Sequence, residues 1–153
     1  MKTNPLNLTQ YLEPAQACVC FHLRKTARVI TQRYDEALRP IGLRATQFPI
    51  LVAARLTGAI TINRLAEELI MDRTTLTRNL KPLKKDGLIL VSQGQSDQRE
   101  REVTLTVTGQ ARLAKALPLW KTVQQQVTKE LGQARVDRLL EDLSATIDVA
   151  RPE

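Results

Sequence analysis

The chain has 153 residues, 42% of them hydrophobic and only 3% aromatic, with 23 Lys/Arg against 16 Asp/Glu for a net charge of +7. A chain of this length forms one domain that buries about 70% of its unfolded surface, so neither a disulfide nor a metal is needed to hold it together. No apolar run approaches the ~20 residues of a membrane span and the start lacks a signal-peptide pattern, which argues against membrane and secretory classes; we expect a cytoplasmic protein whose basic balance suits a polyanionic partner.

Residues 1–9 are polar, contain Pro5 and are expected to be loose, and Pro14 suits a helix start. Residues 15–38 carry neither glycine nor proline and predict one long helix, stopped by Pro40-Ile41-Gly42. Thr46 is placed to open a second helix with Phe48, Leu51, Val52 and Leu56 on its apolar side, Pro49 in its first turn and Gly58 at its end. Residues 60–70 read as a short strand-like entry followed by a third helix. Thr61 is its cap, and Ile62, Leu65, Ala66 and Leu69 recur on one face.

After the short link Ile70-Met71, Asp72 is a good N-cap for a helix whose Leu76, Leu80 and Leu83 form a single apolar stripe. The opposite face carries Arg73, Thr74, Thr75, Thr77, Arg78 and Lys81, with no acid after the cap until Asp86. These side chains suit base edges and phosphate oxygens of duplex DNA, although a solvated basic face would look the same taken alone. Pro82 removes the bond to the Arg78 carbonyl and leaves the final turn open, and Gly87 supplies the stop.

Residues 88–91 read as a strand, residues 92–96 as a polar turn, and DQREREVTLTVTG from 97 to 109 as a second strand in which Val103, Leu105 and Val107 alternate with threonines. Two short helices followed by a hairpin make a winged helix-turn-helix, with Arg99 and Arg101 near the hairpin tip, where they can reach phosphates or the minor groove. The competing reading is a solvated loop whose arginines pair with Asp97, Glu100 or Glu102. Residues 110–131 read as a long helix with Ala116, Trp120, Val123, Val127 and Leu131 on one side and Pro118 interrupting it. Gly132 separates it from a last helix striped by Val136, Leu139, Leu140, Leu143 and Ile147.

The fold expected is mainly α, with some β: a single domain over residues 1–153. It comprises a winged helix-turn-helix at 45–108 and terminal helices at 15–40 and 110–150. The apolar faces of those helices pack either on each other or on a second copy, and two half-sites on DNA favour the two-fold dimer. Charge is distributed to match: residues 24–55 hold seven Lys/Arg against two acids, whereas the last helix carries Asp137, Glu141, Asp142 and Asp148.

Three stretches resemble the MarR family of bacterial transcription regulators: RPIGLRATQFPIL (39–51), LAEELIMDRTTLTRNLKPLKKDGLI (65–89) and the wing DQREREVTLT (97–106), within an order of elements that matches along nearly the whole chain. The resemblance implies a homodimer on double-stranded, pseudo-palindromic operator DNA, usually a repressor released by a signal. It also implies that Arg99 enters the minor groove and Asp97 braces it. Pro82 is less usual for that family.

Cys18 and Cys20 lie two apart on the expected first helix, so they point to different faces and are poorly placed for a mutual disulfide. Arg24, four residues after Cys20, is a neighbour able to stabilise a thiolate. The segment CFHLRKTARVITQRY (20–34) is similar to the first helix of the family's organic-hydroperoxide sensors, which implies oxidation of Cys20 to a sulfenic acid and a role for Tyr34, fourteen residues on. Ala45 and Arg24 stand where that subgroup has further tyrosines. A free cysteine is also commonly a small buried hydrophobe.

Two other signals remain open. Cys18 and His22 at i, i+4 offer two metal ligands but no clear third. A small anionic, phenolic ligand, typical of the family, would sit between the terminal helices and the winged helix, near Arg24, Arg28 and Phe48. One histidine and the lack of a nucleophile motif or a phosphate-cradling glycine loop argue against an enzyme and imply no cofactor. A winged-helix adaptor for protein contacts, without sequence-specific DNA binding, is the alternative from another class.

Overall fold

Local caps and periodic leucines set most of the element boundaries in the computed structural model, which describes residues 11–94 and 97–151. The expectation of a loose segment at residues 1–9 lies outside the described residues, as do two residues of the wing turn. The helices are α1 (Leu12–Ala17), α2 (Val19–Leu38), α3 (Phe48–Thr57), α4 (Ile62–Glu68), α5 (Arg73–Lys85), α6 (Val107–Leu131) and α7 (Gln133–Ala150). Three strands, β1 (Ala59–Thr61), β2 (Ile89–Gln93) and β3 (Arg101–Leu105), form an antiparallel sheet in the order β1-β3-β2. Val103 pairs with Ile60 on one side and Val91 on the other, so the wing hairpin is anchored to the entry of the helix-turn-helix.

Four boundaries depart from the sequence reading. The long first helix breaks at Cys18, whose extended backbone (φ −71°, ψ 111°) divides α1 from α2 without a glycine or proline to mark the break. Thr46 does not cap α3: Gln47 precedes it, and the Gln47 side-chain oxygen accepts the Arg44 amide at 2.9 Å. Leu56, expected on the apolar side of that helix, is exposed. Val107 is not a strand residue, because Thr106 accepts the Gly109 amide at 2.9 Å and so starts α6; the hydroxyl cap outweighs the continuing alternation. Nor does Pro118 interrupt α6, which is continuous across it. Ala114 and Pro118 are both exposed, so the carbonyl that loses its partner faces solvent.

The core is aliphatic and lies where α3, α4, α5 and the sheet meet the end of α2 and the first half of α6. Leu38, Ile50, Leu51, Leu65, Leu76, Leu83, Leu88 and Ile89 are each almost wholly buried. Each such side chain contributes about 1.5–3 kcal/mol through area removed from water. The terminal helices share little of this core: α2 buries only Leu38 and α7 only Val136. Polar contacts tie α2 to α6, with Arg33 on the Glu130 carboxylate at 2.9 Å and the Tyr34 hydroxyl donating to Gln124 at 2.8 Å.

Candidate nucleic-acid interface

The helix that carries the basic face is defined at both ends by its own sequence. Asp72 has an extended backbone and its carboxylate accepts the Thr75 amide at 2.8 Å. Hydrogen bonds from the Thr75 hydroxyl and amide hold the Asp72 carboxyl below its ordinary range. At the other end Pro82 is accommodated and α5 runs on to Lys85. Gly87, at φ +68°, donates to the Lys84 carbonyl at 3.1 Å, and Leu88 donates to Leu83 at 2.9 Å. This pair of bonds is the glycine-ended stop in which the chain reverses through a left-handed residue. Leu76, Leu80 and Leu83 bury the inner face, so the rotation of the outer face is set by packing.

That outer face is a shallow groove of about 420 Å³ lined by Arg73, Thr74, Thr77, Arg78 and Lys81. All five are exposed, and among the described residues none is in an ion pair. Thr75 differs: it is half-buried and does not line the groove, and its amide closes the Asp72 cap. Thr77, which also lines the groove, donates its hydroxyl to the Arg73 carbonyl at 2.7 Å.

In the wing, Asp97 Oδ1 accepts the Arg99 amide at 2.8 Å and the Asp97 carbonyl accepts Glu100 at 3.1 Å. Arg99 is in the turn, Arg101 opens β3 opposite Gln93, and both are exposed. The pairing of these arginines with Asp97, Glu100 or Glu102 is not seen among the described residues. Thr106, which sequence reasoning passed over as one more strand threonine, donates to the Gly87 and Leu88 carbonyls at 2.7 and 3.1 Å while it caps α6. One side chain therefore joins the end of α5 to the start of the long helix behind it.

The candidate sensing residues are spread along α2. Cys18 is half-buried at the break and Cys20 is exposed in the first turn. Because Cys18 stands outside the helix, the argument from helical rotation against its pairing with Cys20 does not hold. Arg24 is exposed, and Tyr34 is fourteen residues along the same helix from Cys20, about 21 Å at the helical rise, so the two do not meet within one chain. Burial pushes the Tyr34 phenol up from its ordinary value, with Arg33 opposing. The His22 ring takes the Gln16 carbonyl at 2.8 Å, and among the described residues no group of three His, Cys, Asp or Glu side chains is placed to hold a metal ion.

Between α2, α3 and α6 is a cavity of about 720 Å³, lined by Ile30, Tyr34, Phe48, Val52, Glu68 and Trp120 among others. Phe48 and Trp120 stack across one wall, with ring centroids 6.2 Å apart and planes 14° from parallel. Phe48 is thus where an effector site was expected, but Arg24 and Arg28 do not line the cavity.

A helix-turn-helix followed by a β-hairpin wing and flanked by long terminal helices is a winged helix-turn-helix, and the relatives that share it are transcriptional regulators. Residues 43–101 match the profile of the MarR family. The DNA complex of the M. tuberculosis transcriptional regulator MosR superimposes with a TM-score of 0.77 at 42% identity, covering 88% of this chain and 99% of that one. The regulator SarZ of Staphylococcus haemolyticus is 28% identical over 131 residues, 84% of this chain and 86% of its own. The organic hydroperoxide resistance transcriptional regulator of Bacillus subtilis is 28% identical over 105 residues, covering 69% and 71%. The chain belongs to the MarR family. No helix among the described residues is long and apolar enough to cross a membrane.

Proposed function

We propose that the protein is a homodimeric, sequence-specific DNA-binding repressor that occupies pseudo-palindromic operators and is released by a signal. The observation that carries this reading is the exposed cationic face of α5 (Arg73, Arg78, Lys81), free of ion pairs among the described residues and backed by three buried leucines, beside a wing that presents Arg99 and Arg101. Any surface helix is backed by a buried stripe, but the outer cations of an ordinary one need hold no fixed position. Bases and phosphates, by contrast, are read only by side chains held in register. That MosR, 42% identical, was solved in complex with DNA supports DNA binding.

Dimerisation falls to the terminal helices, residues 15–40 and 110–150, leaving 45–108 as the reading unit. Val19, Phe21, Leu23, Leu139, Leu140 and Ile147 are all exposed in the single chain, and α7 covers only one side chain of its own. An apolar surface of that kind on both ends of the chain favours a second copy over solvent.

The signal reaches the protein at Cys20 or in the cavity behind α3. Cys20 is exposed in the first turn of a 20-residue helix, and the hydroperoxide-resistance relative favours an oxidant. In that step the thiolate attacks the terminal peroxide oxygen, the O–O bond breaks, and the alkoxide leaves as alcohol after protonation, with the sulfur oxidised to sulfenic acid. Cys18 has the same access to oxidants only in part, being half-buried.

The test is binding to a duplex from the gene's own upstream DNA across a salt series. Affinity is expected to fall steeply with salt and to keep one protected site, and Arg78→Ala to lower the salt slope by about one. Unchanged affinity in Arg78→Ala and Arg99→Ala would remove this reading surface. Peroxide is expected to release the wild type and not Cys20→Ser; equal release would remove Cys20 as the sensor.

A further inference from the structure

The cavity between α2, α3 and α6 carries a charge pattern opposite to that expected of a site for phenolic anions. Its lining contains no lysine, arginine or histidine among the described residues, and its one carboxylate is Glu68, the last residue of α4. Two of its polar groups are engaged as donors, Tyr34 to Gln124 at 2.8 Å and Thr57 to the Ala53 carbonyl at 2.8 Å, which leaves the Thr31 hydroxyl and the Trp120 indole as neutral donors and no cation in the lining. A carboxylate entering here would leave water for a wall of Ile30, Leu38, Val52 and two stacked aromatic rings, with no cation to receive it and Glu68 to repel it.

We propose that this cavity binds a lipophilic cation, an alkyl-aromatic amine, with its ring against the Phe48–Trp120 pair and its ammonium toward Glu68. The volume, about 720 Å³, suits a drug-sized molecule, and an apolar chamber with one placed charge is the usual composition of a selective small-molecule site. Glu68 is available to the ligand: among the described residues it pairs with Arg64 alone, at 4.0 Å, the limit of contact, and both side chains are well exposed. Phe48 and Val52 are on α3, which packs against the helix-turn-helix, so an occupant here pushes on the element that supports α5. That regulatory consequence rests on the DNA-binding reading; the binding itself does not.

Trp120 is the only tryptophan of the chain and stands in the cavity wall, so its fluorescence reports occupancy directly. The full-length protein is titrated with three compounds of one skeleton: 4-butylbenzylamine, 4-butylbenzyl alcohol and 4-butylbenzoate. The amine is expected to change Trp120 emission saturably and to bind about tenfold more tightly than the benzoate, the effect of one partly exposed charge. Glu68→Gln is expected to bring the amine to the affinity of the alcohol, and Val52→Phe, which puts a further ring into the space beside Phe48, to weaken all three, with unfolding midpoints showing that both variants are folded. Benzoate binding as tightly as the amine, an amine affinity untouched by Glu68→Gln, or no saturable change with any compound would each overturn the proposal. Operator affinity without ligand is measured on the same samples. Its absence would remove the regulator reading and leave the cavity assignment standing, whereas normal operator binding with no ligand response does the reverse.

Discussion

Asp97 braces Arg99 through the backbone: its carboxylate accepts the Arg99 amide at 2.8 Å, closing a turn of two residues, while the guanidinium stays free of it. The acid therefore sets where the arginine leaves the wing without neutralising it. Arg99→Ala is expected to weaken operator binding by about 1–3 kcal/mol, the usual range for a groove contact. Asp97→Ala should lose part of that, about fivefold in Kd, and Asp97→Asn, whose amide oxygen accepts the same bond, should stay close to wild type. Anisotropy titrations at one salt concentration decide it; an asparagine variant as weak as the alanine would mean that charge and not turn geometry matters.

Ile70, in the turn between α4 and α5, has φ of 50°, in the left-handed region that a β-branched residue avoids. It is half-exposed, so its side chain returns little packing energy for that conformation. Ile70→Gly is expected to raise the free energy of unfolding by about 1 kcal/mol, relief of strain exceeding the extra freedom of glycine in the unfolded chain. Urea denaturation measures this, and a destabilised glycine variant would show that Ile70 is held by contacts instead of merely tolerated.

Gly109 is buried in the first turn of α6, where a β-carbon would collide with the Leu88 carbonyl oxygen and press on Leu105. Backbone on the opposing side cannot give way without moving β2 or the Thr106 junction. Gly109→Ala should therefore cost about 2–4 kcal/mol despite alanine's better helix propensity. Chemical denaturation is again the measurement, and a neutral result would mean that the junction between wing and long helix is looser than its hydrogen bonds suggest.

Two carboxylates make stability fall in acid. Hydrogen bonding to Arg33, then its charge, holds Glu130 below its ordinary value of 4.5, and the Thr75 hydrogen bonds hold Asp72 below 3.8. A group whose folded value is depressed contributes fully above its unfolded value and loses that contribution as pH falls through the folded one. Urea midpoints should thus be flat with respect to these groups from neutral pH to about 5 and decline below the ordinary carboxylate range. Arg33→Gln is expected to flatten the Glu130 part of that decline, which should also shrink with added salt because both partners are exposed. An acid limb unchanged in Arg33→Gln would assign the loss elsewhere.

Features closed by hydrogen bonds a few residues apart were legible in the sequence. Asp72 and Thr61 cap the helices they were expected to cap, Gly87 stops α5, the leucine stripe orients the basic face, and the alternation around Val103 marks β3. The winged fold and its candidate reading face followed from these, because a helix's outer face is determined by the residues that bury its inner one. Thr106 and Val107 show the limit of that method. Alternation favoured a strand there, and the outcome turned on where a hydroxyl could reach Gly87 and Leu88, nineteen and eighteen residues away.

The sequence by itself determined the element types, the two helix ends that frame the cationic face, and the arginines at the wing tip, since each depends on neighbours within one or two turns. Only the tertiary structure decided that Phe48 stacks on Trp120 and that the cavity is lined by Glu68 and not by Arg24 or Arg28. Those outcomes depend on which faces of α2, α3 and α6 meet, through contacts such as Tyr34 with Gln124 that join residues 90 apart in the chain. Periodicity says which side of a helix is apolar, but the partner that side finds is settled only when the whole core packs.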